Sequence, residues 1–257
     1  MISGLEYNAM CKWHVCPRYN QVFDSSLVEE NDMVFLNLDY FEGFMNHILT
    51  NKPKNKFILV TQNSDRDFTK NMHDLILPFV NKIYAINASF QSPFLIKTPL
   101  GFNDQSMNEI IKIEHQEEKP NLIYLNFRVG HHHERPICFD YFKNLDWVDI
   151  ETKMNGLERP SATDFYNILK TYKYCISPRG AGIDTHRNYE CFYLGVIPIV
   201  KRNELTDLYE KMPILLVDNW AEITKEFLEN SYEKLKSNLD NWLDTNKDWS
   251  KAKYWIN

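Results

Sequence analysis

The 257-residue sequence has no hydrophobic run long enough to cross a membrane, and its first residues lack the basic stretch and apolar run of a secretory signal. We therefore expect a soluble, cytoplasmic protein. The sequence also lacks internal repeats and low-complexity tracts. Its net charge of −6 argues against general nucleic-acid binding. Residues 128–202 nevertheless carry 11 basic against 9 acidic side chains, which suits a local anionic ligand.

Cysteine is scarce, and its number is odd. The five cysteines lack the spacing of a disulfide framework, so we expect reduced thiols. Two of them, Cys175 and Cys191, lie within apolar stretches and are expected to be buried. No Gly-x-Gly-x-x-Gly sequence follows the first predicted strand, which disfavours a Rossmann-type oxidoreductase.

Short apolar runs alternate with polar segments of helical length. Strands are predicted at residues 33–38, 57–61, 83–87, 121–126, 147–150, 172–177, 196–200 and 214–217. Helices are predicted between them at residues 40–49, 68–80, 162–170, 185–194 and 205–211, and near the C-terminus at 221–230, 232–243 and 249–255. Strands that are apolar along their whole length are typical of parallel sheets buried on both faces. The pattern therefore predicts an α/β protein with doubly wound sheets.

A polar, charged segment at residues 104–120 ends at a proline and separates the two groups of strands. We interpret it as a linker between two Rossmann-like domains, residues 1–118 and 119–257, with helices at the end of the second. Sheets of this kind bind ligands beyond the carboxyl ends of their strands, so a ligand cleft between the two domains is expected.

The most informative stretch is residues 174–200, YCISPRGAGIDTHRNYECFYLGVIPIV. It runs from an apolar strand through a glycine-containing turn into a polar segment and a second strand. Gly180 and Gly182 allow backbone N–H groups to approach a phosphate, at the positive end of the helix that follows. Arg179 and Arg187 flank the turn and are suited to bidentate phosphate contacts. The glycines alone would indicate a tight turn, but with these neighbours they indicate a nucleotide-diphosphate site.

Other polar residues of this stretch allow two interpretations each. Asp184 and Thr185 fit donor-binding residues or helix N-caps. His186 fits a hydrogen-bond donor to a phosphate or to the departing nucleotide, or a buried core histidine. Glu190 fits an acceptor for a ribose diol, the role we favour, or an internal partner of Arg187.

Three consecutive histidines, His131, His132 and His133, precede a Glu-Arg pair. Neighbouring residues on a strand point to opposite sides, so three in a row cannot face one metal ion. We predict a loop rather than a metal site, from which Arg128 or Arg135 reaches the diphosphate or the sugar.

The stretch SPRGAGIDTHRNYECFYLGVIPIV resembles the donor-site signature of exostosin-like glycosyltransferases, with its Arg-Gly turn, His-Arg pair, Glu and Gly-x-Ile-Pro-Ile-Val strand. Upstream, FILVTQNSD (57–65), KIYAIN (82–87) and TPLGF (98–102) resemble the acceptor half of short, stand-alone viral and bacterial members. NLIYLNF, followed by Arg135, resembles the opening of their donor half. Together these pieces cover about residues 30–220.

This resemblance implies a GT-B fold, a UDP-sugar donor and inverting transfer to a glycan hydroxyl without an essential metal or other cofactor. It implies that residues 1–118 bind the acceptor and residues 119–257 bind the donor. The short members point to xylose as one donor sugar. Gln62 departs from the histidine that often precedes Asn-Ser-Asp in the family.

An inverting transfer needs a base that takes the proton of the acceptor hydroxyl, and a stabilised diphosphate leaving group. Asp65 and Asp39 each follow a predicted strand of the amino-terminal half. We rank Asp65 first because Asn-Ser-Asp matches a family landmark, although either residue also fits a helix cap. His14 and His73 are more distant candidates.

Two other functions remain open at the level of the sequence. A GDP-fucose-type transferase shares the fold and an arginine-rich donor site. A nucleotide- or glycan-binding module without catalytic activity would retain the donor site but transfer no sugar.

Overall fold

A computed structural model describes residues 1–16, 23–151 and 160–256. The chain forms two compact units. The first comprises Met1–Gly101, Gly182–Asp184 and Asp248–Asn257, and the second comprises Phe102–Ala181 and Thr185–Lys247. Each unit is built around one five-stranded parallel sheet.

The sheet of the first unit contains its strands in the order of the sequence. Its strands are β1 (Trp13–Val15), β2 (Met33–Asn37), β3 (Phe57–Gln62), β4 (Val80–Ala85) and β5 (Leu95–Lys97). Its helices in this part of the chain are α1 (Gly4–Ala9), α2 (Phe41–Thr50) and α3 (Lys70–Ile76). Because the order is β1-β2-β3-β4-β5, every new strand is added on the same side. The prediction of double winding was therefore wrong for this sheet.

Alternate side chains of these strands are buried on opposite faces, as expected for a covered parallel sheet. On one face, Val34, Leu36 and Leu59 pack with apolar residues of α2 and α3. On the other face, Val60 and Tyr84 are also buried. The Tyr84 hydroxyl donates to the Ile256 carbonyl at 2.9 Å, so the end of the chain contributes to this second layer.

The sheet of the second unit reverses its direction of winding. Its strands are β6 (Asn121–Leu125), β7 (Asp149–Ile150), β8 (Tyr172–Ile176), β9 (Ile197–Lys201) and β10 (Leu215–Val217), in the order β10-β9-β8-β6-β7. Its helices are α4 (Met107–Ile110), α5 (Glu134–Phe142), α6 (Ala162–Leu169), α7 (His186–Tyr193), α8 (Thr206–Tyr209) and α9 (Lys225–Thr245). The chain adds β7 on one side of β6, then returns to add β8, β9 and β10 on the other. This sheet is doubly wound, and its switch point lies between β6 and β8.

The long helix α9 covers part of the second sheet, and α10 (Ala252–Trp255) follows it. Leu228 and Leu239 of α9 are fully buried, and the Leu228 carbonyl accepts a hydrogen bond from the Tyr174 hydroxyl at 3.0 Å. The sequence predicted two helices between residues 221 and 243, which was wrong. No glycine or proline interrupts residues 225–245, so one continuous helix forms.

The predicted α/β class is confirmed, with two Rossmann-like units and helices near the C-terminus. All eight predicted strands are present, whereas the three-residue edge strands β1 and β5 were missed. The five cysteines are free and buried, as predicted for Cys175 and Cys191. Within the three described ranges, no helix has the length and apolarity needed to cross a bilayer.

Lys119 is a buried cation that joins the ends of two helices. Its Nζ donates to the carbonyls of Lys170 and Leu194, each at 2.7 Å, directly after α6 and α7. Cations are favourable at these helix ends. Burial nevertheless lowers the pKa of Lys119 to about 8, against 10.5 for an ordinary lysine.

We expect the unfolding free energy of the wild type, minus that of Lys119→Met, to increase as the pH rises from 8 towards 10.5. In this window the unfolded wild-type chain still binds a proton that the folded protein has released, so rising pH favours its folded state. The variant lacks this group. The full change corresponds to about 3 kcal/mol and is measured by denaturant unfolding at several pH values. Lys54→Met, an exposed control, should show no such growth, and a constant difference for Lys119→Met would contradict the assignment.

Candidate functional site

The carboxyl ends of β6 and β8 meet where the winding of the second sheet reverses. The chain leaves β6 through residues 126–128 and β8 through residues 177–180. Right-handed crossovers that run in opposite directions lie on opposite faces of a sheet, so the loops diverge here. In doubly wound sheets this divergence creates the ligand-binding crevice.

Arg135 fixes the two loops relative to each other. Its side chain extends from α5 and donates to three backbone carbonyls: Nη1 to Arg128 at 3.0 Å, Nε to Arg179 at 2.8 Å and Nη2 to Pro178 at 3.4 Å. The guanidinium also lies 5.5 Å from the centre of the Phe127 ring. Only 9% of the residue is exposed, and its observed hydrogen bonds all hold the two loops together. We therefore describe Arg135 as a brace of these loops.

Arg187, in the first turn of α7, contacts residues at the carboxyl ends of both β6 and β8. Its Nη1 donates to the Asn126 carbonyl at 2.8 Å and contacts the Cys175 sulfur at 3.7 Å, and its Nε donates to Glu190 at 3.1 Å. The guanidinium stacks on Phe165 at 4.3 Å. Burial disfavours the charge on Arg187, but Cys175 and Glu190 outweigh it and raise the pKa of the guanidinium. Its Nη2 has no hydrogen-bond partner among the described residues.

Glu190 is held on both oxygens. Its Oε2 accepts from Arg187, and its Oε1 accepts from the Tyr166 hydroxyl at 3.0 Å. The Tyr166 oxygen also lies 2.9 Å from the Ser106 hydroxyl. Burial, followed by the charge of Glu190, raises the pKa of Tyr166. Glu190 is therefore the internal partner of Arg187, with unused lone pairs left on both oxygens.

Thr185 and Ser177 position α7. The Thr185 side chain accepts from the Arg187 backbone N–H at 3.3 Å and caps the helix, which starts at His186. The Ser177 hydroxyl donates to Asn188 Oδ1 at 2.7 Å and joins the end of β8 to the same helix. The amino end of α7 therefore lies at the switch point, where its dipole favours an anion.

The glycines of the turn are explained by close packing. A Cβ added to Gly180 would lie 3.1 Å from Arg135 Nη2, and one added to Gly182 would lie 2.8 Å from Asn87 Nδ2. Gly182 and Asp184 belong to the first unit. The Asp184 carboxylate accepts from the Leu100 N–H at 2.9 Å, so the cap of α7 is Thr185.

Further basic residues follow the strands of the second sheet. Arg128 is exposed after β6, and its Nη1 lies 3.1 Å from His131 Nε2. Arg179, after β8, pairs with Glu204 at 3.6 Å. Lys201 ends β9 and pairs with Glu134, also at 3.6 Å. Basic side chains thus lie at or just after the carboxyl ends of β6, β8 and β9, each with a carboxylate or imidazole nearby.

The histidine run lies directly before α5. The rings of His132 and His133 are 4.1 Å apart and tilted against each other. Burial, followed by the charge of Arg179, lowers the pKa of His132. Across the described ranges, no three His, Cys, Asp or Glu side chains are grouped as metal ligands.

The two predicted base candidates lie at the carboxyl edge of the first sheet. Asp39 is in the 3-10 turn Leu38–Tyr40 after β2, and Ser64 Oγ donates to its Oδ1 at 2.6 Å. Asp65 is exposed, and its side chain forms no hydrogen bond or ion pair with the described residues. Gln62 is fully buried and donates from Nε2 to the Pro99 carbonyl at 3.1 Å.

His73 and His14, the more distant candidates for the base, lie in α3 and β1 and not in the turn that carries Asp39. His73 is buried in α3, with Nδ1 2.9 Å from Asp74 and its ring against Phe90. His14 follows Trp13 in β1, and its Nδ1 lies 2.8 Å from Asn8 Nδ2. Burial lowers the pKa of His14.

Several residues of the site had not been predicted. Phe165 and Tyr166 come from α6, whose sequence contains no motif that connects it with the glycine turn. Ser106 lies in the segment predicted to be a linker. Asn126 and Lys201 were recognisable, because polar residues at the carboxyl ends of buried parallel strands are placed at the ligand-binding edge.

No protein-family model matches this chain, and no curated protein matches it either. Several solved structures are distantly similar. An α1,3-fucosyltransferase with GDP-fucose has a TM-score of 0.40 and 9% identity, over 95% of this chain and 88% of that one. A GtfA/B complex has a TM-score of 0.43 and 14% identity, over 89% of this chain and 56% of that one. A UDP-forming α,α-trehalose-phosphate synthase from Burkholderia vietnamiensis has a TM-score of 0.40 and 9% identity, over 86% and 74%.

Proposed function

We propose that the protein is a nucleotide-sugar-dependent glycosyltransferase whose donor diphosphate binds at the switch point of the second sheet. One observation carries this proposal: Arg187, oriented by Glu190 and the Asn126 carbonyl, lies at the capped amino end of α7 beside the carboxyl ends of β6 and β8. This arrangement supplies positive charge and directed N–H groups at the place where α/β sheets bind ligands.

The arginine side chains are suited to hold a diphosphate. Arg187 keeps the two hydrogens of Nη2 for a ligand, while its other nitrogens are fixed by the protein, so binding costs little side-chain entropy. Arg179 and Arg128 extend from the two loops that Arg135 braces. Three guanidinium groups and the dipole of α7 together stabilise the negative charge that develops on a departing nucleoside diphosphate.

Glu190 is assigned to the ribose. Its carboxylate already accepts from Arg187 and Tyr166, which fixes its orientation, and its remaining lone pairs suit the hydroxyls of a cis-diol. His186, Thr185, Gly180, Gly182 and Asp184 remain proposed donor-binding residues through their place in the same turn. The contacts of Gly182 and Asp184 with Asn87 and Leu100 support a positioning role for these two.

The proposed reaction is inverting transfer of a sugar from a UDP-sugar, with xylose as one candidate, to a glycan hydroxyl without a metal ion. A carboxylate of the first unit takes the hydroxyl proton while the acceptor oxygen attacks the anomeric carbon. The bond to the diphosphate breaks, and its electrons leave with UDP. The first unit is accordingly the proposed acceptor domain and the second the proposed donor domain.

Binding of UDP to the wild-type protein tests this proposal. We expect UDP to raise the melting temperature, because a ligand at 100 times its dissociation constant adds about 2.7 kcal/mol to the unfolding free energy. GDP, titrated in parallel, distinguishes a GDP-fucose-type transferase. Stabilisation by either nucleotide without release of a sugar from any donor would identify a binding module. No stabilisation by UDP, GDP or their sugars would reject the proposed function.

A further inference from the structure

We propose that Asp39, rather than Asp65, is the general base, that Ser64 positions it, and that Tyr40 forms a stacking surface for a pyranose acceptor. The inference rests on the proposed function, and it adds the place and the chemical class of the acceptor: a sugar ring with a free hydroxyl.

The turn that carries Asp39 is fixed by its neighbours. The Asp39 N–H donates to Asn37 Oδ1 at 2.9 Å, and Arg66 Nη1 donates to the Leu38 carbonyl at 3.2 Å. Ser64 Oγ then donates to Asp39 Oδ1 at 2.6 Å. Backbone and side chain are both held, so the carboxylate is oriented before a substrate arrives.

The next strand supports the same turn. Asn63, directly after β3, has a φ of 59°, a left-handed conformation that is uncommon for residues other than glycine. Its carbonyl accepts from Asn37 Nδ2 at 3.0 Å. This conformation turns the chain so that Ser64 faces Asp39, and the Ser64 hydroxyl also accepts from the Arg66 N–H at 3.0 Å.

One oxygen of Asp39 remains available for chemistry. Oδ1 is occupied by Ser64, whereas Oδ2 makes no hydrogen bond within the described residues. The acceptor O–H bond breaks and its proton moves to Asp39 Oδ2. The acceptor oxygen forms the new bond to the anomeric carbon, and the bond to the diphosphate breaks with its electrons on the nucleotide.

Asp65 lacks these supports. Asp39 and Asp65 are both exposed, but no hydrogen bond or ion pair with the described residues orients the Asp65 carboxylate. A base without fixed orientation loses the advantage of proximity that a positioned group supplies. The adjacent Ser64 and Arg66 both contact the turn of Asp39 instead.

Tyr40 gives the site a surface for a sugar ring. It directly follows Asp39 and is 44% exposed, and its ring has no aromatic partner within the described ranges. A single exposed aromatic residue is ordinary on a protein surface. Beside an oriented carboxylate, however, its flat face can cover the C–H face of a pyranose while the base reaches a hydroxyl of the same ring.

The test uses the full chain and two separate measurements. UDP affinity is measured by calorimetry, and UDP release is measured with a mixture of UDP-glucose, UDP-galactose, UDP-xylose and UDP-N-acetylglucosamine. Methyl glucoside, galactoside and xyloside serve as acceptor probes, and water serves as the acceptor in their absence. We expect Asp39→Asn to lose at least about 100-fold in UDP release with both kinds of acceptor. Its UDP affinity should change less than twofold.

Substitutions at two further residues, Ser64 and Tyr40, separate positioning and stacking from catalysis. Ser64→Ala should lower kcat about tenfold with an unchanged donor KM, and Ser64→Thr, which keeps the hydroxyl, should restore it. Tyr40→Ala should raise the acceptor KM about tenfold and leave release to water unchanged. Asp248→Asn, an exposed carboxylate of the first unit paired with Lys251, is the matched control and should behave as the wild type.

The possible outcomes distinguish failure of the Asp39 and Tyr40 assignments from failure of the proposed function. Full UDP release by Asp39→Asn, or a larger loss in Asp65→Asn, overturns the assignment of Asp39 while the donor site stands. An unchanged acceptor KM in Tyr40→Ala overturns the stacking surface. Failure of the wild type to bind UDP or GDP would instead reject the proposed function itself.

Discussion

Arg187→Met is expected to weaken UDP binding by about 100-fold. The variant loses the guanidinium group directed at the diphosphate, and charge-assisted bonds of this type contribute about 1.5–3 kcal/mol. It also frees Glu190, whose Oε2 is held by Arg187, so contacts with the ribose are weakened as well. Isothermal titration of wild type and variant with UDP gives the two dissociation constants.

Three comparisons test whether the loss of affinity comes from the Arg187 guanidinium itself. Arg187→Lys keeps the charge but cannot hold Asn126 and Glu190 together, so it should recover only part of the affinity. Lys173→Met removes one positive charge at the opposite end of β8 and should leave UDP binding unchanged. Unfolding of the free proteins shows whether a loss reflects misfolding. A well-folded Arg187→Met protein with wild-type affinity would remove Arg187 from the donor site.

Arg135→Met should lower the unfolding free energy by about 3 kcal/mol and weaken UDP binding at the same time. The buried guanidinium donates to the carbonyls of Arg128, Pro178 and Arg179, and methionine leaves all three without this donor. The bond to Pro178 is buried and the other two are partly buried, and a buried carbonyl that loses its partner costs about 1–3 kcal/mol. Urea unfolding and UDP titration measure the two effects.

The matched variant is Arg128→Met, because Arg128 is exposed and lies in the loop after β6 that Arg135 contacts. It should weaken UDP binding with a change in stability below about 0.5 kcal/mol. If Arg135→Met binds UDP normally after its stability is restored by lower temperature or osmolyte, the brace has no role in shaping the donor site. If both variants unfold at the wild-type urea concentration, Arg135 does not brace the loops.

The central strands were predictable because burial on both faces leaves a continuous apolar signal. Residues 57–61 and 172–177 are examples, and the structure has strands there at Phe57–Gln62 and Tyr172–Ile176. The edge strands β1 (Trp-His-Val) and β5 (Leu-Ile-Lys) were missed because each is short and contains a polar residue, whereas the equally short edge strand β10 is apolar throughout and was predicted. The direction of winding was not predictable either, since it depends on which strands pair and not on the residues of any single strand.

The site was only partly predictable. The motif around Arg187 was visible because its residues are contiguous, and the proximity of Glu190 follows from their spacing on one helix. The contacts of Arg135 with Arg179 and of Tyr166 with Glu190 connect positions 24 or more residues apart. No spacing rule reveals such contacts. The same applies to Asp39 and Ser64, which approach each other only because β2 and β3 are neighbours.

A crystal structure of the protein with bound UDP tests the central claim most directly. We expect the diphosphate beside the amino end of α7, with Arg187 Nη2 within hydrogen-bonding distance of a phosphate oxygen and the ribose hydroxyls on Glu190. A nucleotide bound away from the ends of β6 and β8, with the Arg187–Glu190 pair unchanged and out of its reach, would contradict the account.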